Sequence, residues 1–115
     1  MVFQNKFLNK PQVAEKNILE SDVEGSVKRY AKSKGVVVDK FTSPSKRSVP
    51  DDIFTFPPHG WVVFIEFKKP GEEPTEKQAS DHEKRRAVGA HVFVVDNVEY
   101  GKRIVDYYLG DRDAL

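Results

Sequence analysis

The chain contains no cysteine. That excludes disulfides, thiolate chemistry and cysteine-ligated zinc, and it fits a cytoplasmic setting. Charge of one sign is not in excess: 19 Lys and Arg stand against 18 Asp and Glu, a net charge of +1. A protein that grips nucleic acid by bulk charge alone is therefore not expected. No apolar run approaches the roughly 18 residues a membrane-spanning helix needs. The first twelve residues, MVFQNKFLNKPQ, lack both a long apolar stretch and a small-residue cleavage site, so no secretory signal is expected. There is no internal repeat and no low-complexity tract.

What is present is enough for one domain. In 115 residues, 38% are hydrophobic, including eight Phe and four Tyr, and these can build a single core. Charge is also unevenly distributed. Between Gly25 and Val49 lie Lys28, Arg29, Lys32, Lys34, Lys40, Lys46 and Arg47 against a single acid, Asp39. Such a segment is either a solvated helix face or a surface for phosphates, with Lys28, Lys32, Lys46 and Arg47 as candidate nucleic-acid contacts.

Hydrophobic spacing places the elements. Residues 1–20 form an arm or a short helix opened by Pro11, a possible dimer contact. Ser21 is a candidate helix cap, with Glu24 at the capping-box position. Val23, Val27, Tyr30 and Ala31 make one apolar stripe, which Gly35 ends. Val36–Val38 favour a strand, and TSPSKRSVP at 42–50 favours a loop. Asp51–Phe56 and Trp61–Lys68 pair as a hairpin across Pro57-Pro58-His59-Gly60. The second of these, with apolar residues on both faces, is the expected central strand. Thr75 caps a helix that Gly89 ends, His91–Val95 is a further strand, and a last helix carries Gly101, Ile104, Val105, Tyr108 and Leu109 on one face. Residues 111–115 are a tail. The expected class is α/β, a mixed central sheet flanked by helices, with a parallel crossover from strand 61–68 to strand 91–95.

Side chains alternate along a strand, so Glu66 and Lys68 share a face. Asp51 begins the partner strand, and the hairpin can bring it beside them. Two carboxylates and an ammonium would then converge at one sheet edge, where a hard cation such as Mg²⁺ or Mn²⁺ would offset the buried charge. Glu66-Phe67-Lys68 is the only acid-x-Lys in the chain. Simpler roles stand beside each of these. Glu24 and Gln78 sit at capping-box spacing, and Glu66 with Lys68 could be an exposed salt-bridging strand end. Asp52, facing away from Asp51, is expected to be a surface acid. His59, His82 and His91 show no ligand spacing, and Trp61 is expected in the core. Lys84, Arg85 and Arg86 are diluted by Asp81 and Glu83 and read as a solvated helix face.

Pro50-Asp51 followed by Glu66-Phe67-Lys68 resembles the PD-(D/E)XK nuclease superfamily, with a restriction-endonuclease-like core. Glu24, PDDIF at 50–54, FIEFKKPG at 64–71, Gln78 and the Ala87-Val88-Gly89-Ala90 turn narrow the resemblance to the virus-type replication-repair nuclease (VRR-Nuc) domain, over residues 21–110. Phe67 departs from it, standing where a smaller aliphatic residue is common, and Asp52 adds a second acid. The resemblance implies that Asp51, Glu66 and the Phe67 carbonyl bind metal and that Lys68 is the catalytic lysine. It further implies that Glu24 holds metal or water from the helix and that Gln78 supports the site. The implied activity is that of an Mg²⁺- or Mn²⁺-dependent endonuclease acting on branched DNA such as four-way junctions. It would work as a homodimer in a phage or bacterial host cytoplasm, without a small-molecule cofactor or a membrane. The alternative is a non-catalytic nucleic-acid-binding module on the same scaffold, and sequence-specific restriction is disfavoured by the short chain.

Overall fold

A computed structural model describes residues 18–46 and 48–115. The elements follow the expected order: α1 (Glu20–Ser33), β1 (Val37–Lys40), β2 (Asp52–Phe56), β3 (Trp61–Phe67), α2 (Glu76–Ala87), β4 (His91–Val95) and α3 (Val98–Tyr108). None of the described helices is long and apolar enough to cross a membrane. The proposed arm lies almost wholly outside the described residues.

The start of α1 differs from the Ser21 cap expected above. Leu19 is the capping position, and Asp22, three residues on, accepts the Leu19 N–H at 2.9 Å. Asp22 therefore does the backbone work assigned to Glu24, whose side chain is left for other contacts. The end of α1 is as expected. Gly35 takes φ +87°, while Gly35 and Val36 return their N–H groups to Lys32 and Ala31.

The four strands form one sheet in sequence order. β1–β2 and β2–β3 are antiparallel, and β3–β4 is parallel, so α2 is the crossover. The chain thus forms the mixed sheet flanked by helices that its pattern implied.

Strand alternation divides the sheet into two unlike faces. One carries Phe54, Phe56, Val63, Ile65, Phe67 and Val95, packed with Val23, Val27 and Ala31 of α1 and Ile104, Val105 and Tyr108 of α3. Each fully buried residue of this size contributes about 1.5–3 kcal/mol, so this face supplies most of the hydrophobic stabilisation. Gly101 lets α3 approach closely, because a Cβ there would collide with Val27 and sit 3.2 Å from Val95.

The other face carries Ile53, Phe64, Glu66, Val92 and Val94, aligned by the strand register. Its covering helix, α2, buries two polar residues, Asp81 and His82. It is held by arginines. Arg86 donates to the Val92 carbonyl through Nε (3.1 Å) and Nη2 (2.9 Å), and Arg85 lies over the Phe64 ring at 5.6 Å.

Candidate active site

The β2–β3 register pairs Asp52 with Ile65. One step further along the antiparallel pair, Asp51 falls opposite Glu66, on the face that α2 covers. Lys68, two residues beyond Glu66, returns to that face and is 8% exposed. Its N–H donates to the Val95 carbonyl at 2.9 Å, which ties the end of β3 to β4. The expected edge cluster of Asp51, Glu66 and Lys68 is therefore assembled, with its acid–lysine pair buried instead of exposed.

Glu66 is the centre of the arrangement and is 2% exposed. Gln78 Nε2 donates to its Oε2 at 3.3 Å. Among the described residues its Oε1 has no hydrogen-bond partner, and the cationic candidate within reach, His82 Nε2, is 3.9 Å away. Burial pushes the Glu66 carboxyl up to about 8, the neighbouring Asp51 carboxyl adds to the rise, and Lys68 opposes it. His82 is itself buried and its ring held below the usual histidine range, first by burial and then by Arg86. It is neutral, so it offers Glu66 no counter-charge.

Gln78 plays both roles weighed above. Its Oε1 accepts the Thr75 N–H at 3.0 Å and its N–H donates to Thr75 Oγ1 at 3.1 Å, a complete capping box, while the free amide end reaches Glu66. The cap thus fixes the rotamer that presents the donor.

Glu24 is not with these acids. Its Oε2 lies 2.5 Å from Lys28 Nζ and 3.1 Å from Lys40 Nζ. Burial would raise its carboxyl, but the two ammonium groups hold it below the usual range. Glu20 lies one helical turn earlier. Glu20 is raised by burial, opposed by Lys68, and raised further by Glu72, Glu24 and Asp51, so it shares the field of the Asp51–Glu66–Lys68 group. Glu20 fell in the arm ahead of the expected Ser21 cap, so the sequence pattern did not offer it as a helix acid.

Asp52 also differs from expectation. It is fully buried on the α1 face, where its Oδ1 lies 2.7 Å from Lys28 Nζ. The contact is off the donor direction, and neither carboxylate oxygen has a well-directed hydrogen bond among the described residues. Burial raises the Asp52 carboxyl, and the same contact raises the Lys28 ammonium; at 2.7 Å we read the two as a charged pair at neutral pH.

The basic segment is partly consumed by these contacts. Lys28 turns inward, Lys40 pairs with Glu24 from the surface, Lys46 lies 3.1 Å from Asp81 Oδ1, Lys32 is exposed, and Arg47 falls outside the described residues. Lys28 is thereby removed from the expected phosphate contacts. Of the histidines read as incidental, His59 stacks against Trp61 and His91 bonds Tyr108, but His82 faces Glu66. Trp61 is 47% exposed and not in the core. It lines a concavity of about 630 Å³ with Val62, His91 and Tyr107, at the far end of the sheet from the acids.

A mixed sheet that presents two apposed acids and a lysine at one edge, under a helix whose inner face is polar, defines a nuclease-type domain of the PD-(D/E)XK kind. Comparison with known proteins agrees. The chain is 36% identical over 80 residues to a protein of Acyrthosiphon pisum secondary endosymbiont phage 1 named "Putative nuclease p44", covering 70% of this chain and 85% of the relative. A solved structure described as a VRR_NUC domain superposes with a TM-score of 0.62 at 31% identity, over 74% of this chain and 96% of that one. No family model matches the sequence. The chain belongs to the VRR-Nuc family of nuclease domains.

Proposed function

We propose that this domain is a divalent-metal-dependent, structure-specific DNA endonuclease that hydrolyses phosphodiester bonds in branched DNA such as four-way junctions. The observation that carries the reading is Glu66: a buried carboxyl set against a second carboxyl, with Oε1 unpartnered. A purely structural site would supply a counter-charge, as Lys28 does for Asp52.

The donor set fits a hard cation. Asp51, Glu66 and the Phe67 carbonyl would hold Mg²⁺ or Mn²⁺ through oxygen. Among the described residues no three His, Cys, Asp or Glu side chains converge as a ready ligand group. Two carboxylates and a carbonyl leave the other positions to water and phosphate, a common arrangement for Mg²⁺. Bound there, the ion would supply Lewis acidity toward the phosphate and lower the pKa of water. Lys68 stabilises charge developing on the phosphate or orients the attacking water. Gln78 holds the Glu66 carboxylate in place, and Glu20 takes the helix-acid role first given to Glu24. The nuclease domain in this reading runs from Glu20 to about residue 110, and a two-fold dimer matches the symmetry of a four-way junction.

The test is cleavage of a labelled four-way junction beside linear duplex, in Mg²⁺, Mn²⁺ or EDTA, by wild type and Lys68→Ala. Junction cutting that needs both metal and Lys68 supports the proposal. Binding without cutting in every metal condition identifies a non-catalytic module. Light scattering at micromolar concentration reads the oligomer, and a monomeric mass ends the dimer proposal.

A further inference from the structure

A polar concavity lies on α2, the helix that also supplies Gln78 and His82 to the candidate active site. Lys77, Ser80, Asp81 and Lys84 recur at i, i+3, i+4 and i+7 and form one face of α2. The loop after β1 lays Lys46 and Ser48 against that face, enclosing about 180 Å³. Gln78 and His82, which reach Glu66, occupy the neighbouring face of α2.

Asp81 explains how the pocket is built. It is 4% exposed, and its two oxygens are taken by Lys46 Nζ at 3.1 Å and Arg85 Nε at 2.7 Å. Its charge is spent on pinning Lys46 to the helix. The lining then carries three ammonium groups (Lys46, Lys77, Lys84) against one carboxylate, a net +2, with the hydroxyls of Ser48 and Ser80 as further donors. Lys77 and Lys84 have no carboxylate partner among the described residues. Three ammoniums around one small cavity repel one another, and an anion relieves that. The lining has no aromatic or large aliphatic side chain, so it offers a nucleobase nothing to stack on.

We infer that the pocket of Lys46, Ser48, Lys77, Ser80 and Lys84 is a phosphodiester-binding subsite that seats a nucleic-acid strand beside the Asp51–Glu66 carboxylates. The inference rests on the nuclease reading and adds to it where the strand runs: over the outer flank of α2, held by its backbone and not its bases. Such contacts position a strand without reading its sequence. They also turn the Lys84 end of the basic run on α2 from a solvated face into a binding surface.

The test is binding, read in EDTA so that turnover is not required. Full-length wild type, Lys77→Gln/Lys84→Gln and a control, Lys34→Gln/Lys102→Gln, are titrated with labelled single-strand and duplex oligonucleotides of unrelated sequence at several salt concentrations. Lys34 and Lys102 serve as the control because they lie over the Tyr30 ring, on α1 and α3. Glutamine keeps the aliphatic stems of these surface residues. The expected result is about 10-fold or more weaker binding for the α2 variant, equal across sequences, with the log–log salt slope reduced by about 1–2 and the control unchanged. Inorganic phosphate is the second arm. It should compete only at concentrations far above those of the oligonucleotides, and equal occupancy at equal concentration would make the site one for a free anion and overturn the proposal. An unchanged slope with normal cutting would also overturn it while leaving the nuclease reading intact. A reduced slope in a protein that never cuts would do the reverse.

Discussion

Asp51 and Asp52 are adjacent in sequence and opposite in circumstance. Asp52 points to the α1 face, where Lys28 meets it at 2.7 Å and Lys28 and Lys40 together hold Glu24. Asp51 points to the α2 face, where it raises the pKa of Glu66 and where Glu66 Oε1 finds no donor. One cluster is closed by a lysine in direct contact with its acids; in the other, Lys68 opposes the rise of Glu66 without pairing to it within salt-bridge distance among the described residues. Fully buried acids are costly on either face, so the difference indicates purpose. A closed cluster holds α1 onto the edge of the sheet. In the proposed function, the open one keeps room for a charge brought from outside.

The comparison can be broken most severely at Lys28. Lys28→Met leaves Asp52 and Glu24 without their shared counter-charge and should destabilise the fold by about 3–5 kcal/mol. Chemical denaturation measures this, and a loss below about 1 kcal/mol would mean that Asp52 is neutral and the cluster is not ionic.

The open cluster should respond in the opposite way. Asp51→Asn removes a repulsive charge, so it should lower cleavage by about 10²–10³-fold while leaving the melting temperature at or above that of wild type. A fall in stability comparable to that of Lys28→Met would place Asp51 in a structural role.

Glu66→Gln sharpens the contrast through pH. The folded protein holds the Glu66 proton up to about 8, while an unfolded chain releases it near 4.5. The Glu66 contribution to metal-free stability should therefore be fully present below pH 4.5 and be lost as pH rises to about 8, against the lowered carboxyls of Glu24 and Asp81, which act in the opposite sense at acid pH. Glu66→Gln should flatten that slope and, at pH 8 without metal, raise the melting temperature by roughly 4–8 °C, the shift of about 1 kcal/mol. Thermal melts across pH 4–9 check both, and an unaltered slope would remove Glu66 as its source.

The smallest effect is expected at Thr75. Thr75→Ala removes the hydroxyl that accepts the Gln78 N–H, at a cost of about 1 kcal/mol, and loosens the turn that sets Gln78, although the residue-75 N–H to Gln78 Oε1 remains. If Gln78 orients Glu66, cleavage should fall further than the lost stability explains, whereas matched losses would make Gln78 a cap alone.

Much of this was legible without coordinates. The hairpin at Pro57–Gly60, the Thr75 cap, the Gly35 and Gly89 helix ends and the apolar stripe of α3 are local signals, and local chemistry decides them. Alternation correctly set Asp51 and Asp52 on opposite faces. It did not show that α1 covers the second face, so Asp52 read as a surface acid. The helix start set at Ser21 left Glu20 in the arm, so only Glu24 stood out as a helix acid. His82 sat in a helix almost without apolar residues, where nothing in the pattern marks an inward position.

By itself the sequence determined the element order, the pairing of β2 with β3 and the convergence of Asp51, Glu66 and Lys68, because strand period and a short turn leave few other arrangements. Tertiary structure alone decided which acids are neutralised. Lys28, Lys40, Lys46 and Arg85 each choose a partner by distance across elements, and a few ångströms separate a structural ion pair from an unmet charge. That choice gives one cluster a role in holding the fold and leaves the other as the proposed site of the chemistry.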